Sequence, residues 1–122
     1  MDLLSTTVLH RESGGQPYTL VELTGEADIT TNDMLRDLLE AQIARKPGFL
    51  IIDLAALRFM DSTALHVILT ASRSLAGQGG TLALASPTRV VAATLRLSQA
   101  ARMVPVYESL QEALMTVQAG NS

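Results

Sequence analysis

Asp61-Ser62-Thr63 stands where a continuously apolar stretch gives way to an amphipathic one, and no other segment of the chain is so well suited to chemistry. Aspartate and serine are favoured at helix starts, where a side-chain oxygen accepts hydrogen bonds from first-turn amides. Capping alone therefore accounts for the residue types. The same turn, with the helix that follows it, could also be a surface that another protein recognises. Local chemistry alone favours capping.

The remaining polar clusters offer less. No G-x-S-x-G turn presents a serine as a nucleophile. The two histidines, His10 and His66, lie far apart without ligand spacing, and the absence of cysteine excludes disulfides and thiolate metal sites. Gly77-Gln78-Gly79-Gly80 is glycine-rich but follows a helix and precedes a strand, the reverse of a phosphate cradle, so it reads as a helix stop. Glu26 and Asp28 could be drawn as paired carboxylates, yet a solvated loop explains them more simply. The expectation is a binding module, not an enzyme, with no cofactor and no metal.

A helix opening at Asp61 and running to about Ala76 turns Leu65, Ile68, Leu69, Ser72 and Leu75 inward. His66, Thr70 and Arg73 share the opposite stripe, bordered by Thr63 and Val67. That face is polar and lightly charged, which suits transient protein recognition.

The elements that must position this turn alternate along the chain. The 122 residues, 48% of them apolar, suit one domain over 1–122 with its core at about 6–117. Thr6–Arg11 reads as a strand, Gly14-Gly15-Gln16-Pro17 as a hairpin turn, and Tyr18–Leu23 as a second strand closed by Gly25. Thr30, Thr31 and Asn32 offer caps for a helix from near Asp33, with Met34, Leu35, Leu38, Leu39 and Ile43 as its buried stripe and Pro47-Gly48 as its stop. Phe49–Leu54 is β-branched and continuously apolar, the mark of a central strand covered on both faces. Thr81–Ala85 is the next strand. Ser86-Pro87 opens a helix through Val90, Val91, Leu95 and Leu97. Val104–Tyr107 is a short strand held to an edge or end by Pro105, and Glu108-Ser109 begins a last helix to about Gln118, before Gly120-Asn121. The order is ββαβαβαβα, an α/β fold with a mixed sheet.

The net charge is −3 and the nine basic residues are scattered, unlike the clustered basic face of a nucleic-acid binder. The N-terminus has no basic segment followed by an apolar one, and no apolar run approaches the roughly 20 residues that span a bilayer. No nucleic acid and no membrane are expected as partners, and the location expected is cytoplasmic.

Phe59-Met60-Asp61-Ser62-Thr63-Ala64-Leu65, coming after Leu50-Ile51-Ile52-Asp53-Leu54, resembles the signature of the bacterial STAS-domain anti-sigma-factor antagonists, Phe-Met-Asp-Ser-Ser/Thr-Gly-Leu at a helix start. Leu23-Thr24-Gly25-Glu26-Ala27-Asp28 is similar to that family's Gly-Glu-Leu-Asp turn, and the segments agree in order from about Thr6 to Val117. The resemblance implies a STAS-like mixed sheet of about five strands with four helices packed on it. It implies as partner an anti-sigma factor that is itself an ATP-dependent serine kinase. By position, Ser62 is the phosphoacceptor. The unphosphorylated chain would bind the anti-sigma factor and release the sigma factor, the phosphorylated chain would not bind, and a serine phosphatase would reset it. Asp28, Asp61, Ser62, Thr63, His66, Val67 and Thr70 would form the partner surface. The alternative is a STAS module bound without phosphorylation in a transporter or stress-sensing complex. Three places depart from the family pattern: Ala64 replaces the usual glycine, adding bulk where a kinase would approach, His66 replaces a small residue, and Leu97-Ser98-Gln99-Ala100 stands where Ser-Gly-Leu is usual.

Overall fold

The computed structural model describes residues 3–120; Met1, Asp2, Asn121 and Ser122, and with them the Asn121 read as lying beyond the last helix, are outside the described residues. The elements follow the expected alternation: β1 (Leu4–Ser13), β2 (Gln16–Ala27), α1 (Asn32–Ile43), β3 (Phe49–Met60), α2 (Ser62–Ala76), β4 (Thr81–Ala85), α3 (Arg89–Leu97), a 3-10 turn (Ala100–Arg102), β5 (Val106–Tyr107) and α4 (Leu110–Ala119). They form a five-stranded sheet in the order β1-β2-β3-β4-β5, in which β1 is antiparallel to β2 and every other pairing is parallel.

The hairpin turns on Gly14 and Gly15 alone, with φ of 60° and 80°, the positive pair that a two-residue turn matching strand twist demands. Pro17, expected in that turn, lies instead within β2 opposite Glu12. Its missing N–H does no harm there, because β2 pairs with β3 only from Thr19 onward.

Each parallel step along the sheet carries a helix over the same face. The larger core lies there, with Val21, Leu23, Leu50, Ile52, Leu54 and Leu84 of the strands beneath Leu35, Leu39, Ile68, Leu75, Val91 and Leu95 of α1, α2 and α3. The alternate residues Leu20 and Ile51 point to the other face, where Ala113 and Val117 of α4 cover them. Burial on both faces is why Phe49–Leu54 is continuously apolar.

Four expectations are corrected. Gly25 does not close β2 but sits inside it, at φ 106°, where a Cβ would lie 2.0 Å from the Leu3 carbonyl oxygen. β3 does not end at Leu54 but continues to Met60. Bulges between Glu22 and Thr24 and between Gly25 and Glu26 shift the β2–β3 register, so burial in this extension falls on Leu57 and Met60, three apart, and the two-residue alternation is lost. α3 starts at Arg89, two residues later than a Ser86-Pro87 start implies, because Ser86 takes a φ of 57° and Thr88 provides the cap to the Val91 N–H. Met34, read as part of the buried stripe of α1, is 40% exposed. No described helix is long and apolar enough to cross a membrane.

Candidate functional site

The carboxyl ends of β2 and β3 lie side by side, with Ala27 opposite Met60. The β2–α1 loop and the start of α2 therefore meet at one rim of the sheet. Asp61 ties them together. Its backbone N–H donates to the Ala27 carbonyl at 3.1 Å, and its Oδ2 accepts the Ile29 N–H at 3.1 Å. Its Oδ1 accepts the Ala64 N–H at 2.9 Å and the Thr63 hydroxyl at 2.7 Å. The capping role read from sequence is thus real, and it reaches across 32 residues of chain to the neighbouring loop.

Partial burial pushes the Asp61 carboxyl upward, but the bonds from the Ala64 N–H, the Thr63 hydroxyl, the Ile29 N–H and the Thr63 N–H outweigh it and hold the group below its ordinary value. Asp61 is therefore an ionised carboxylate with both oxygens engaged.

Thr63 is committed on its other side as well. Its Oγ1 accepts from Asn32 Nδ2 at 2.6 Å, so amide, hydroxyl and carboxylate form a relay from the first residue of α1 to the cap of α2. Asn32 is 8% exposed, and its Oδ1 has no partner among the described residues. Asp28 shapes the adjoining loop: its Oδ1 accepts the Thr30 N–H at 2.9 Å, and its own N–H donates to Thr31 Oγ1 at 3.0 Å.

Ser62 differs from these neighbours. It is the first residue of α2, it is exposed, and no described group bonds its hydroxyl. Ile29, 72% exposed, belongs to the loop tied to Asp61, and Phe59 on β3 is 40% exposed. Sequence reasoning named neither as a site residue, since an isolated isoleucine in a polar loop carries no periodic signal.

The helix after Ser62 divides its candidates. His66, Thr70 and Arg73 are exposed, as expected. Val67 is not on that face: it is 7% exposed and belongs to the main core, because α2 packs against α1 as well as the sheet. Between the two helices runs a groove of about 520 Å³, with Leu39, Ile43, Val67 and Ala71 along it and Arg36 and His66 at its rim. Ala64 is fully buried, so its methyl group adds no bulk on the side a kinase would approach, contrary to expectation. Among the described residues no three His, Cys, Asp or Glu side chains come together as a metal site.

Comparison with known proteins agrees with this architecture. The family model described as the STAS domain matches residues 10–113. The anti-sigma F factor antagonist of Paenibacillus polymyxa is 32% identical over 96 residues, which span 78% of this chain and 82% of that protein. The crystal structure of an anti-sigma factor antagonist from Mycobacterium paratuberculosis superposes with a TM-score of 0.84 over 94% of both chains, at 24% identity. SpoIIAA, another anti-sigma factor antagonist, matches in its unphosphorylated form with a TM-score of 0.77 at 20% identity, over 94% of this chain and 97% of that one. The phosphorylated form of the Bacillus protein matches at 0.68 and 19% identity, over 93 and 99%.

Proposed function

The chain belongs to the family of STAS-domain anti-sigma factor antagonists, and on that premise we propose that it is a partner switch centred on Ser62. Unphosphorylated, it binds an anti-sigma factor and frees the sigma factor. That partner, acting as an ATP-dependent serine kinase, phosphorylates Ser62 and so ends the complex; a serine phosphatase restores it.

The observation that carries the reading is the contrast between adjacent hydroxyls. Thr63 Oγ1 both donates and accepts, while Ser62 is exposed and unbonded at the helix start. A kinase finds one free nucleophile there. Both oxygens of Asp61 are engaged in holding the turn, so the base that takes the Ser62 proton must come from the kinase. Phosphate at a helix N-terminus meets the positive end of the helix dipole, and the Ser62 hydroxyl holds no bond that it would break, so modification leaves the fold intact. Beside the ionised Asp61, however, it concentrates negative charge on the contact surface. A like-charge contact in a close interface costs several kcal/mol, on the order of a hundredfold in affinity.

The proposed contact surface comprises Asp61, Ser62, Thr63, His66 and Thr70, with Asp28 shaping the loop that presents Ile29. Val67 supports it from beneath. Incubation with the kinase partner and radiolabelled ATP tests the switch: the wild type is labelled and Ser62→Ala is not. Equal labelling of the two rejects Ser62 as acceptor, and stable binding with no labelling of either favours the alternative of an unphosphorylated binding module.

A further inference from the structure

The basic residues are scattered in sequence, but the acidic ones are not. Residues 62–107 contain Arg73, Arg89, Arg96 and Arg102 and no aspartate or glutamate, so this stretch carries +4 while the rest of the chain carries −7 of the net −3. Three of those arginines gather on α3 and the turn behind it. On α3 the exposed Arg89, Val90, Arg96 and Leu97 recur at intervals of three, four and seven residues, with half-buried Ala93 between them, and so share one face. Arg102 and Met103 are exposed just past the helix end, beyond the left-handed Gln99. Val90, Leu97 and Met103 are 54, 83 and 53% exposed, and Arg89, Arg96 and Arg102 form no ion pair among the described residues. Arg96, Gln99 and Arg102 also line a groove of about 320 Å³ whose other walls are Pro87, Ala92, Leu95 and Val106, without a single acid.

α3 is pinned beside the strand end that leads into the Ser62 turn. Thr94 Oγ1 on α3 donates to the carbonyl of Met60, two residues before Ser62, and Thr88 Oγ1 donates to that of Leu57. The two surfaces thus stand at the same end of β3 on a rigid mount.

We propose that the exposed ridge of α3 and the turn behind it docks an acidic, aliphatic-bearing surface of the protein partner that the Ser62 turn engages. This rests on the partner-switching reading above. Unpaired arginines alternating with exposed aliphatic side chains fit a protein that presents carboxylates beside apolar residues. An anionic bilayer or nucleic acid fits poorly, because the −7 on the remainder of the chain repels an extended anion. The ridge supplies the salt-dependent part of the affinity, and the Ser62 turn supplies the switch.

The test measures affinity of the full chain for the kinase partner at low and high salt, with Ser62 phosphorylation read in parallel. Arg96→Glu/Arg102→Glu is expected to weaken binding about tenfold or more at low salt and to flatten the salt dependence. Arg96→Lys/Arg102→Lys is expected to keep most of the affinity. Leu97→Glu, at a side chain 83% exposed and so harmless to the core, is expected to weaken binding also. Reversal variants that bind like wild type with the same salt slope overturn the ridge alone if Ser62 is still labelled. Weakened binding in the reversal variants without labelling of any form sustains the ridge and overturns the phosphorylation switch. Failure of the wild type to bind the kinase overturns both. Wild-type binding to phosphatidylserine vesicles that the reversal abolishes, with partner affinity unchanged, assigns the ridge to a membrane and overturns the proposal.

Discussion

Replacing Asp61 by alanine removes its three closest acceptor contacts at once, those to the Ala64 N–H, the Thr63 hydroxyl and the Ile29 N–H, along with the weaker one to the Thr63 N–H. The cap bond alone is worth about 1 kcal/mol. The other two are charge-assisted, but Asp61 is only half-buried and water replaces much of what they lose, so together they add about 1 kcal/mol more. The expected loss at pH 7 is about 2 kcal/mol, a fall of about 1 M in the urea midpoint for a domain of this size. Asp61→Asn keeps a capping oxygen and is expected to lose less than half as much. Acid separates the charge from the shape. The folded carboxyl titrates below its unfolded value, so its ionic contribution is complete above the unfolded value of about 4 and disappears as pH falls through the lower folded one. The advantage of wild type over Asp61→Asn should therefore shrink between pH 5 and the acid limit of the folded state, as followed by urea unfolding at several pH values. An alanine variant as stable as wild type, or an advantage over asparagine independent of pH, would refute the account of Asp61 as an ionised tie between loop and helix.

Two further outcomes test other parts of the structure. Ser62→Asp should keep the unfolding midpoint near that of wild type, since an acid at the first helical position is favoured, while weakening the kinase complex measured by calorimetry; equal affinities would count against the charge mechanism. Gly25→Ala should cost about 2–4 kcal/mol in urea unfolding, because φ is 106° and the new Cβ meets the Leu3 carbonyl, whereas Gly15→Ala, with φ 80° and nothing within 4 Å, should cost about 1 kcal/mol. Equal costs at the two glycines would show that the close approach at Gly25 is not what demands glycine there.

The sheet, its helices and the Asp61 cap are legible in the sequence because each rests on a local rule: continuous apolar runs for two-sided strands, three-to-four spacing for helices, and short polar residues at helix starts. What escaped depends on through-space partners. The six residues from Ala55 to Met60 read as a connection because two bulges break their alternation, and bulges belong to a pair of strands, not to either one. Val67 read as a border residue because a single inward stripe was assumed, whereas α2 buries a wide arc, with Val67 and Ala71 lining the groove beside Leu39 and Ile43 of α1. Ser86-Pro87 is a good helix start by type, yet the chain needs Ser86 in a left-handed turn, and the next hydroxyl that can cap is Thr88.

The Asn32–Thr63 bond explains why two adjacent hydroxyls with similar chemistry are engaged so differently by the fold. Residue type alone does not separate Ser62 from Thr63, since both sit in the first turn of one helix, and it is the family resemblance that singles out Ser62. The difference comes from α1, whose first residue sends its amide across the rim to Thr63 and leaves Ser62 untouched. Thr63 is thereby drawn into the structure that holds the turn, and a phosphate on it would have to break the bonds to Asn32 and Asp61. A phosphate on Ser62 breaks none. A residue suited to reversible modification is one whose side chain the fold does not use, next to one that the fold uses fully. The buried Ala64 completes the arrangement: its methyl packs in the core while its N–H holds Asp61, so the first turn is anchored from within and the surface around Ser62 stays open to a partner.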